Sequence, residues 1–146
     1  MKVQEMAGHL IRRLNQTSTH IFAKQMQEDG VDLTPVQFAA MDTIASNPGI
    51  DQAGVAAKIA YDRATIGGVI DRLVQKGHVT RTVSEKDRRA REVRLTETGR
   101  ALFQEILPKV ERMQDEMLQE LTPQERRIFL DLSRKALGKS APQETD

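Results

Sequence analysis

A single change in hydrophobic period, at residues 79–95, distinguishes this 146-residue sequence from an ordinary helical bundle. Elsewhere the apolar residues recur at steps of three and four, which is the spacing of an amphipathic helix. Within 79–95 the step is two, and the alternating positions are Val79, Arg81, Val83, Val93 and Leu95. This pattern predicts two antiparallel strands joined by a charged tip at 85–91. The chain is therefore predicted to be mainly α, with one β-ribbon.

Capping residues predict where the helices begin. Thr34 and Thr122 are each followed by a Pro at the first helical position and by a Gln or Glu three residues after the cap. Asp51 and Thr96 precede two further helices, and Asp62 or its neighbour Tyr61 precedes a third. With an uncapped helix at the start of the chain, six helices are expected.

Apolar spacing and stop signals set the expected helix lengths. The fourth helix is expected to end at Lys76-Gly77, and the fifth to kink at Pro108. The expected ranges are about 5–28 for the first helix, 97–120 for the fifth, 123–137 for the sixth and 139–146 for a frayed tail.

Two short helices followed by a β-ribbon predict a winged helix-turn-helix, here at residues 33–96. The region around it is basic: residues 58–100 hold eleven Lys and Arg against six Asp and Glu, although the whole chain has a net charge of only +1. A basic segment of this kind is typical of a surface that binds a polyanion. The alternative is an ordinary solvated surface.

Composition excludes several functional classes. The chain has no Cys, which excludes disulfides, thiolate metal sites and thiol nucleophiles. No apolar run reaches the roughly 18 residues of a membrane helix, and the polar start lacks the core of a signal peptide, so we expect a cytoplasmic protein without a membrane partner. No glycine loop for phosphate, metal-ligand spacing or Ser-His-Asp arrangement is present, so neither an enzyme nor a cofactor is expected.

The fourth helix carries the first set of candidate DNA-binding residues. Its apolar positions Ile66, Val69, Ile70 and Leu73 are predicted to face inward, and its outward positions are Arg63, Thr65, Gly68 and Arg72. A helix of this width fits the major groove of DNA. The pair Gly67-Gly68 is unfavourable inside a helix, by about 1 kcal/mol per Gly relative to Ala. Close approach to DNA and close packing against another helix are both possible reasons for it.

The tip of the ribbon carries the second set. Its candidate DNA-binding residues are Lys86, Asp87, Arg88, Arg89 and Arg91. A guanidinium at such a tip fits the narrow minor groove, where the negative potential of DNA is concentrated. Asp87 is predicted to hold the Arg89 side chain through a bidentate pair. The alternative is again a solvated charge run.

In these segments the chain resembles the MarR family (multiple antibiotic resistance regulator family) of bacterial transcription factors. The matching residues are Ala64-Thr65-Ile66 through Asp71-Arg72-Leu73, Lys76-Gly77, Asp87-Arg88-Arg89 and Leu95-Thr96-Glu97-Thr98-Gly99. The resemblance extends over nearly the whole chain, because the helix order and lengths also agree.

The resemblance implies a single MarR-like domain, 1–146, that forms a homodimer through helices at 1–30 and 97–138. It implies that Arg63, Thr65 and Gly68 read the major groove of a pseudo-palindromic double-stranded operator, and that Arg89, oriented by Asp87, enters the minor groove. It also implies a repressor that releases DNA when a small, often aromatic, anion binds.

The effector site is less well marked. Arg12 and Arg13, with His9 one turn earlier, offer a planar cation to a carboxylate, and similar members control aromatic-acid or aryl-thioester catabolism. The alternative is that both arginines are solvated or pair with Glu5, Glu28 or the sixth helix. A metal site is not expected, because the three His residues, at 9, 20 and 78, are scattered.

One further function class fits the same fold: a winged-helix module that binds a protein instead of DNA. Such a module is expected to lose the cations of its wing, and this wing keeps them. A salt-dependent shift of duplex DNA separates the two possibilities.

Overall fold

In the computed structural model, which describes residues 1–138, the chain folds into six α-helices and a two-stranded antiparallel sheet. A 3-10 turn at Val3–Glu5 precedes the first helix. The elements are α1 (Ala7–Asp29), α2 (Pro35–Ser46), α3 (Gln52–Lys58), α4 (Arg63–Gln75), β1 (Val79–Val83), β2 (Arg91–Leu95), α5 (Glu97–Met117) and α6 (Pro123–Leu137). The predicted frayed tail, 139–146, lies outside the described residues.

The capping residues act as the sequence predicts. The hydroxyls of Thr34 and Thr122 accept from the third backbone N–H of α2 and α6, and Asp51 and Asp62 cap α3 and α4 in the same way. The end of α4 is followed by Gly77 at φ 80°, a left-handed conformation that favours glycine.

Two helix boundaries differ from the sequence prediction. Helix α1 begins at Ala7 rather than near residue 5, because Val3–Glu5 winds into a separate 3-10 turn. Helix α5 ends at Met117 rather than near 120, where Leu118 leaves helical geometry. Pro108 lies inside α5, and the kink expected there stays a prediction.

The sheet forms the wing of the predicted winged helix-turn-helix. Val79 pairs with Leu95, and Val83 pairs with Arg91 at the distal end. A third extended segment joins β2, since the Val93 N–H donates to the Ile50 carbonyl at 3.1 Å beside an isolated bridge between Asp51 and Glu92. The distal end extends past the core, which leaves Val83 51% exposed.

One hydrophobic core lies under the helix-turn-helix and continues along α1 and α5. Its fully buried side chains include Met41 of α2, Val55 of α3, Ile66, Ile70 and Leu73 of α4, Val79 and Val93 of the wing, and Ile106 of α5. Phe38 stacks on Phe103 with ring centroids 5.5 Å apart, which joins α2 to α5.

The start of α5 is locked against the turn that follows α4. The Thr96 hydroxyl donates to the Gly77 carbonyl at 2.6 Å, and the Thr96 N–H donates to the His78 carbonyl at 3.0 Å. A Cβ on Gly99 would overlap that same His78 carbonyl, so only glycine permits this close approach.

Helix α6 and the first half of α1 leave their apolar residues uncovered. No residue of α6 is buried, and Ile128 and Leu132 are 49% and 59% exposed. On α1, Leu10 and Ile11 are 50% and 65% exposed. Arg126 ties α6 back to the end of α5 through the Leu118 carbonyl and Asp115.

Candidate nucleic-acid interface

Helix α4 has one buried side and one exposed side, divided as its sequence predicts. Ile66, Ile70 and Leu73 are fully buried, and Val69 is half-buried. Each of the predicted outward residues is exposed: Arg63, Thr65, Gly68 and Arg72. The helix therefore presents a polar, cationic ridge to solvent.

The first turn of α4 is fixed by Asp62. Its carboxylate accepts from the Thr65 N–H and from the Thr65 hydroxyl, both at 2.8 Å. The hydrogen bonds from Thr65 hold the pKa of Asp62 below its usual value, because they stabilise the charged form. The Thr65 hydroxyl therefore donates its proton to Asp62. Its oxygen can still accept a hydrogen bond from an external partner, and its methyl group can still make an apolar contact.

Gly68 faces open space. A Cβ there would meet no atom of residues 1–138 within 4 Å, whereas a Cβ on Gly67 would lie 3.4 Å from the Gln52 side chain. Packing against another helix of the described chain therefore does not account for the glycine at 68. The sequence left two explanations for this glycine, packing against another helix and close approach of an external partner. The geometry favours close approach of an external partner.

The tip of the wing is organised by hydrogen bonds to its backbone. The Asp87 carboxylate accepts from the backbone N–H of Arg89 at 3.0 Å, and the Ser84 hydroxyl accepts from the N–H groups of Lys86 and Asp87. Arg91 donates to the Arg88 carbonyl at 3.2 Å. The tip residues Lys86, Asp87, Arg88, Arg89 and Arg91 are all exposed.

The predicted bidentate pair between the Asp87 and Arg89 side chains is wrong. Across residues 1–138 the two side chains form no ion pair. Two residues apart in a turn, a short carboxylate reaches the main chain more easily than it reaches the end of a long guanidinium. Asp87 therefore shapes the tip and leaves the guanidinium of Arg89 free of it.

The structure brings four of the predicted residues into one cleft. This α4–wing cleft, of about 410 Å³, is lined by Arg63 from α4, by Asp87, Arg89 and Arg91 from the wing, and by the start of α3. Arg72, Lys86 and Arg88 lie outside its lining. Three arginines thus line one cleft between α4 and the wing.

Two residues make polar contacts beside this surface that were not predicted from the sequence. Arg81 of β1 donates to Asp71 of α4 at 2.6 Å and to Gln52 of α3 at 3.2 Å. Lys76, at the end of α4, donates to the Asp32 carbonyl at 2.7 Å and to the Gln37 side chain at 2.9 Å. Both contacts join residues far apart in sequence, for which a single sequence carries no signal.

The candidate effector residues lie on the exposed side of α1. Arg12 and His9 are close, with Nη2 and Nδ1 3.5 Å apart, and Arg13 is exposed. Neither arginine forms an ion pair with Glu5, Glu28 or α6 in the part of the chain that the structure describes. Within one chain the pairing alternative is therefore not observed, and solvation is the alternative to effector binding that this chain shows.

Metal-binding clusters and membrane spans are both absent from residues 1–138. No three His, Asp or Glu side chains gather there to hold a metal ion, and no helix of this part has the length and apolar character needed to cross a membrane.

Comparison with known proteins decides the family. The family model described as "MarR family" matches residues 31–90, which run from just before α2 to the tip of the wing. The transcriptional regulator HosA of Escherichia coli is 31% identical over 94% of this chain and 99% of its own length. The chain belongs to the MarR family. The HTH-type transcriptional repressor NicR of Pseudomonas putida is a second relative, 33% identical over 92% of this chain and 84% of its own length.

Solved structures show the same fold. Bordetella bronchiseptica BpsR, whose DNA binding is regulated by 6-hydroxynicotinic acid, has a TM-score of 0.87 and 31% identity over 94% of this chain and 97% of its own. Streptomyces coelicolor PcaV with its natural ligand has a TM-score of 0.87 at 27% identity, over 96% and 97%. A mutant of E. coli MarR complexed with operator DNA has a TM-score of 0.82 at 27% identity, over 89% and 92%. The MarR-family winged helix-turn-helix fold is thus confirmed, and the family is one of transcriptional regulators rather than enzymes.

Proposed function

We propose that this chain is a DNA-binding repressor that reads a pseudo-palindromic operator with α4 and the wing. The observation that carries the proposal is the α4–wing cleft, which Arg63 of α4 lines together with Arg89 and Arg91 of the wing. We propose no catalytic activity, so the chain acts by binding alone. It is proposed to act in the cytoplasm, where bacterial DNA is found.

The exposed ridge of α4 is proposed to enter the major groove. Thr65 and Gly68 lie toward the first turns of the helix, where base edges come closest, and Arg63 and Arg72 flank them. The open space at Gly68 supports this assignment, because a missing side chain lets the helix backbone approach the groove floor.

The wing is proposed to contact the adjacent minor groove through Arg89. Asp87 fixes the backbone at Arg89 without pairing with its guanidinium, so the side chain is available for the negative potential of the groove. Arg88, Arg91 and Lys86 are proposed to contact phosphates, which contribute affinity without sequence information.

Residues 33–96 are proposed to form the DNA-binding part, and 1–30 with 97–138 the dimer interface. Helix α6 buries no side chain within its own chain, and α1 exposes Leu10 and Ile11. Uncovered apolar surface of this extent is typical of an interface. A two-fold dimer presents its recognition helices to half-sites about 10 base pairs apart.

Release of DNA is proposed to follow binding of a small anion, an aromatic acid or an aryl-thioester, at Arg12 and Arg13 with His9 beside them. Within residues 1–138 both guanidiniums are free of carboxylates, which supports the assignment. Arg12→Ala and Arg13→Ala are each titrated with aromatic carboxylates against the protein–DNA complex. Release of DNA by both variants at the parent's ligand concentration contradicts this site.

Salt-dependent binding of duplex DNA tests the DNA-binding function. The operator is selected from random duplexes, and affinity is measured across a range of salt. A specific complex whose affinity falls steeply with salt is expected, since each phosphate contact releases a counterion. Equal, weak binding to all duplexes contradicts the proposal and favours the winged-helix module that binds a protein.

A further inference from the structure

His78 connects the recognition helix to the wing. It lies between the end of α4 and the start of β1, the two elements that are proposed to contact DNA. Its backbone N–H donates to the Leu73 carbonyl at 3.0 Å, and its carbonyl accepts from the Thr96 N–H at the start of α5, also at 3.0 Å. A movement of His78 therefore changes how α4, the wing and α5 are joined.

The imidazole of His78 has a buried nitrogen without a partner. Nδ1 is shielded from solvent, and no group of residues 1–138 forms a hydrogen bond with it. In a neutral imidazole one ring nitrogen carries no hydrogen, so Nδ1 can stay an unpaired acceptor. In an imidazolium both nitrogens carry a hydrogen, and a buried N–H of a charged ring without an acceptor is more costly. This environment therefore favours the neutral ring.

The charge beside the ring acts in the same direction. His78 lines a cleft of about 360 Å³, together with residues 30–32 after α1, Lys76 at the end of α4 and Leu102 of α5. Besides His78, the titratable side chains of this lining are Asp32 and Lys76. Burial and, after it, the charge of Lys76 hold the pKa of His78 below its usual value.

Asp32 is already paired with Lys76. Its carboxylate is 88% exposed and lies 3.4 Å from the Lys76 ammonium, so it is poorly placed to offset a charge on the ring. Lys76 also donates to the Asp32 carbonyl at 2.7 Å and to the Gln37 side chain at 2.9 Å, which keep its charge in the cleft. A proton on His78 therefore adds a second positive charge beside a held one.

We propose that His78 is a pH-sensitive switch: on protonation its ring leaves the buried position, the junction of α4, the wing and α5 loosens, and DNA affinity falls. The hydrogen bonds of the His78 backbone to Leu73 and Thr96 carry the movement of the ring to α4 and α5. The loss of DNA affinity rests on the proposed function, whereas the loosening of the junction is a property of the protein without DNA.

The effect on stability has a defined sign. Since the folded protein resists protonation of His78, the unfolded chain binds more protons below about pH 6.5, the ordinary pKa of histidine. Stability is therefore expected to fall as the pH drops below that value. Asp29, Asp62 and Glu125, whose pKa values are lowered by their hydrogen bonds, change charge at more acid pH. Asp42, whose pKa is raised by burial, contributes equally to the parent and to variants at position 78.

Melting temperatures of the DNA-free protein test the junction. They are measured at about pH 7.5 and about pH 5.5, one unit above and below the ordinary pKa of histidine. The melting temperature of the parent is expected to fall over this range, and the fall should be at least halved in His78→Leu, which takes up no proton. His78→Gln is the second uncharged variant if the Leu variant does not fold. His20→Gln, which removes an exposed histidine, should behave as the parent does.

Binding of the selected operator duplex at the same two pH values tests the effect on DNA. The affinity of the parent relative to that of His78→Leu is expected to fall at least threefold at the acid pH, and this ratio removes any pH dependence that the two proteins share. An equal fall of the melting temperature in the parent and both His78 variants overturns the proposal, and so does an unchanged affinity ratio. A parent that binds no duplex at either pH contradicts the proposed DNA-binding function instead, and the melting temperatures then decide the role of His78 at the junction.

Discussion

Asp71 of the recognition helix and Arg81 of the wing are joined by a hydrogen-bonded ion pair of 2.6 Å, and the same guanidinium nitrogen reaches Gln52 of α3. The three residues belong to three different elements of the winged helix-turn-helix. Since α4 and the wing are proposed to enter two different grooves, their relative orientation has to match the DNA. The Asp71–Arg81 pair is a polar contact that sets this orientation.

Breaking the Asp71–Arg81 pair is expected to weaken DNA binding as well as folding. The pair is partly exposed, so Asp71→Asn or Arg81→Gln should lower stability by only about 0.2–1 kcal/mol. Operator affinity should fall by roughly 1.4- to fivefold per half-site, the equivalent of that energy. Urea unfolding and DNA titration measure the two effects, and the exchanged variant, with Arg at 71 and Asp at 81, should recover part of the affinity. Unchanged affinity in both single variants contradicts a positioning role.

Arg89 and Lys86 are expected to respond differently to truncation. Arg89→Ala should cost about 1–3 kcal/mol for each docked wing, and most at A·T-rich flanks, where the minor groove is narrow. Lys86→Ala should weaken specific and random duplexes alike and lower the salt slope by about one for each phosphate that Lys86 neutralises. Affinity against salt on both duplexes distinguishes them. If Arg89→Ala binds the operator within twofold of the parent, the wing does not read DNA.

Asp87 provides a test of what shapes the wing tip. Its carboxylate accepts from the Arg89 backbone N–H, a role that an Asn side-chain oxygen also fills. Asp87→Asn should therefore keep most of the operator affinity, whereas Asp87→Ala, which removes the acceptor of the turn, should bind clearly more weakly. Gel-shift titrations of the two variants decide it. Equal weakening in both would instead indicate that the negative charge of Asp87 is what matters.

Gly68→Ala is expected to raise stability while lowering DNA affinity. A Cβ at 68 meets no atom of residues 1–138, and Ala is favoured over Gly inside a helix by about 1 kcal/mol, so the melting temperature should rise. The same methyl group should obstruct approach to the groove. Gly67→Ala is the matched control, because position 67 faces Gln52 rather than solvent. A stabilised Gly68→Ala variant with full operator affinity rules out close backbone approach there.

The exposed apolar residues of α6 predict an obligate dimer. Sedimentation at micromolar concentration should give about twice the 16.4 kDa mass of the chain. Leu132→Asp places a charge on that surface without disturbing a buried residue, and it should give monomers that bind DNA poorly. Lys135→Asp, an exposed change in the last turn of the same helix, is the control for added charge. A parent chain that sediments as a clean monomer contradicts the interface.

Local signals account for what could be predicted from the sequence. The capping residues Thr34, Asp62 and Thr122 act on backbone groups three residues away, and the two-residue period at 79–95 predicts the strands of the wing. Both signals are local, so they can be recognised without knowledge of the tertiary structure. The contacts of Arg81 and Lys76 span 10 to 44 residues and depend on how the helices pack. Whether the Asp87 carboxylate pairs with the Arg89 guanidinium or with the Arg89 backbone N–H depends on the turn geometry, which composition does not specify.

The contact between Gly99 and the His78 carbonyl makes the start of α5 the point about which this helix can tilt. With 21 residues at 1.5 Å each, α5 is about 31 Å long. A rotation of 5° about its first turn displaces its last residue by roughly 2.7 Å. The close approach blocks sliding of α5 along this turn, so we expect relative movement of the winged helix and the far end of α5 to be a small tilt. We therefore expect a small change in the angle of α5 at Gly99 to change the separation of the two α4 helices in the dimer. That separation must stay matched to one turn of DNA, about 34 Å.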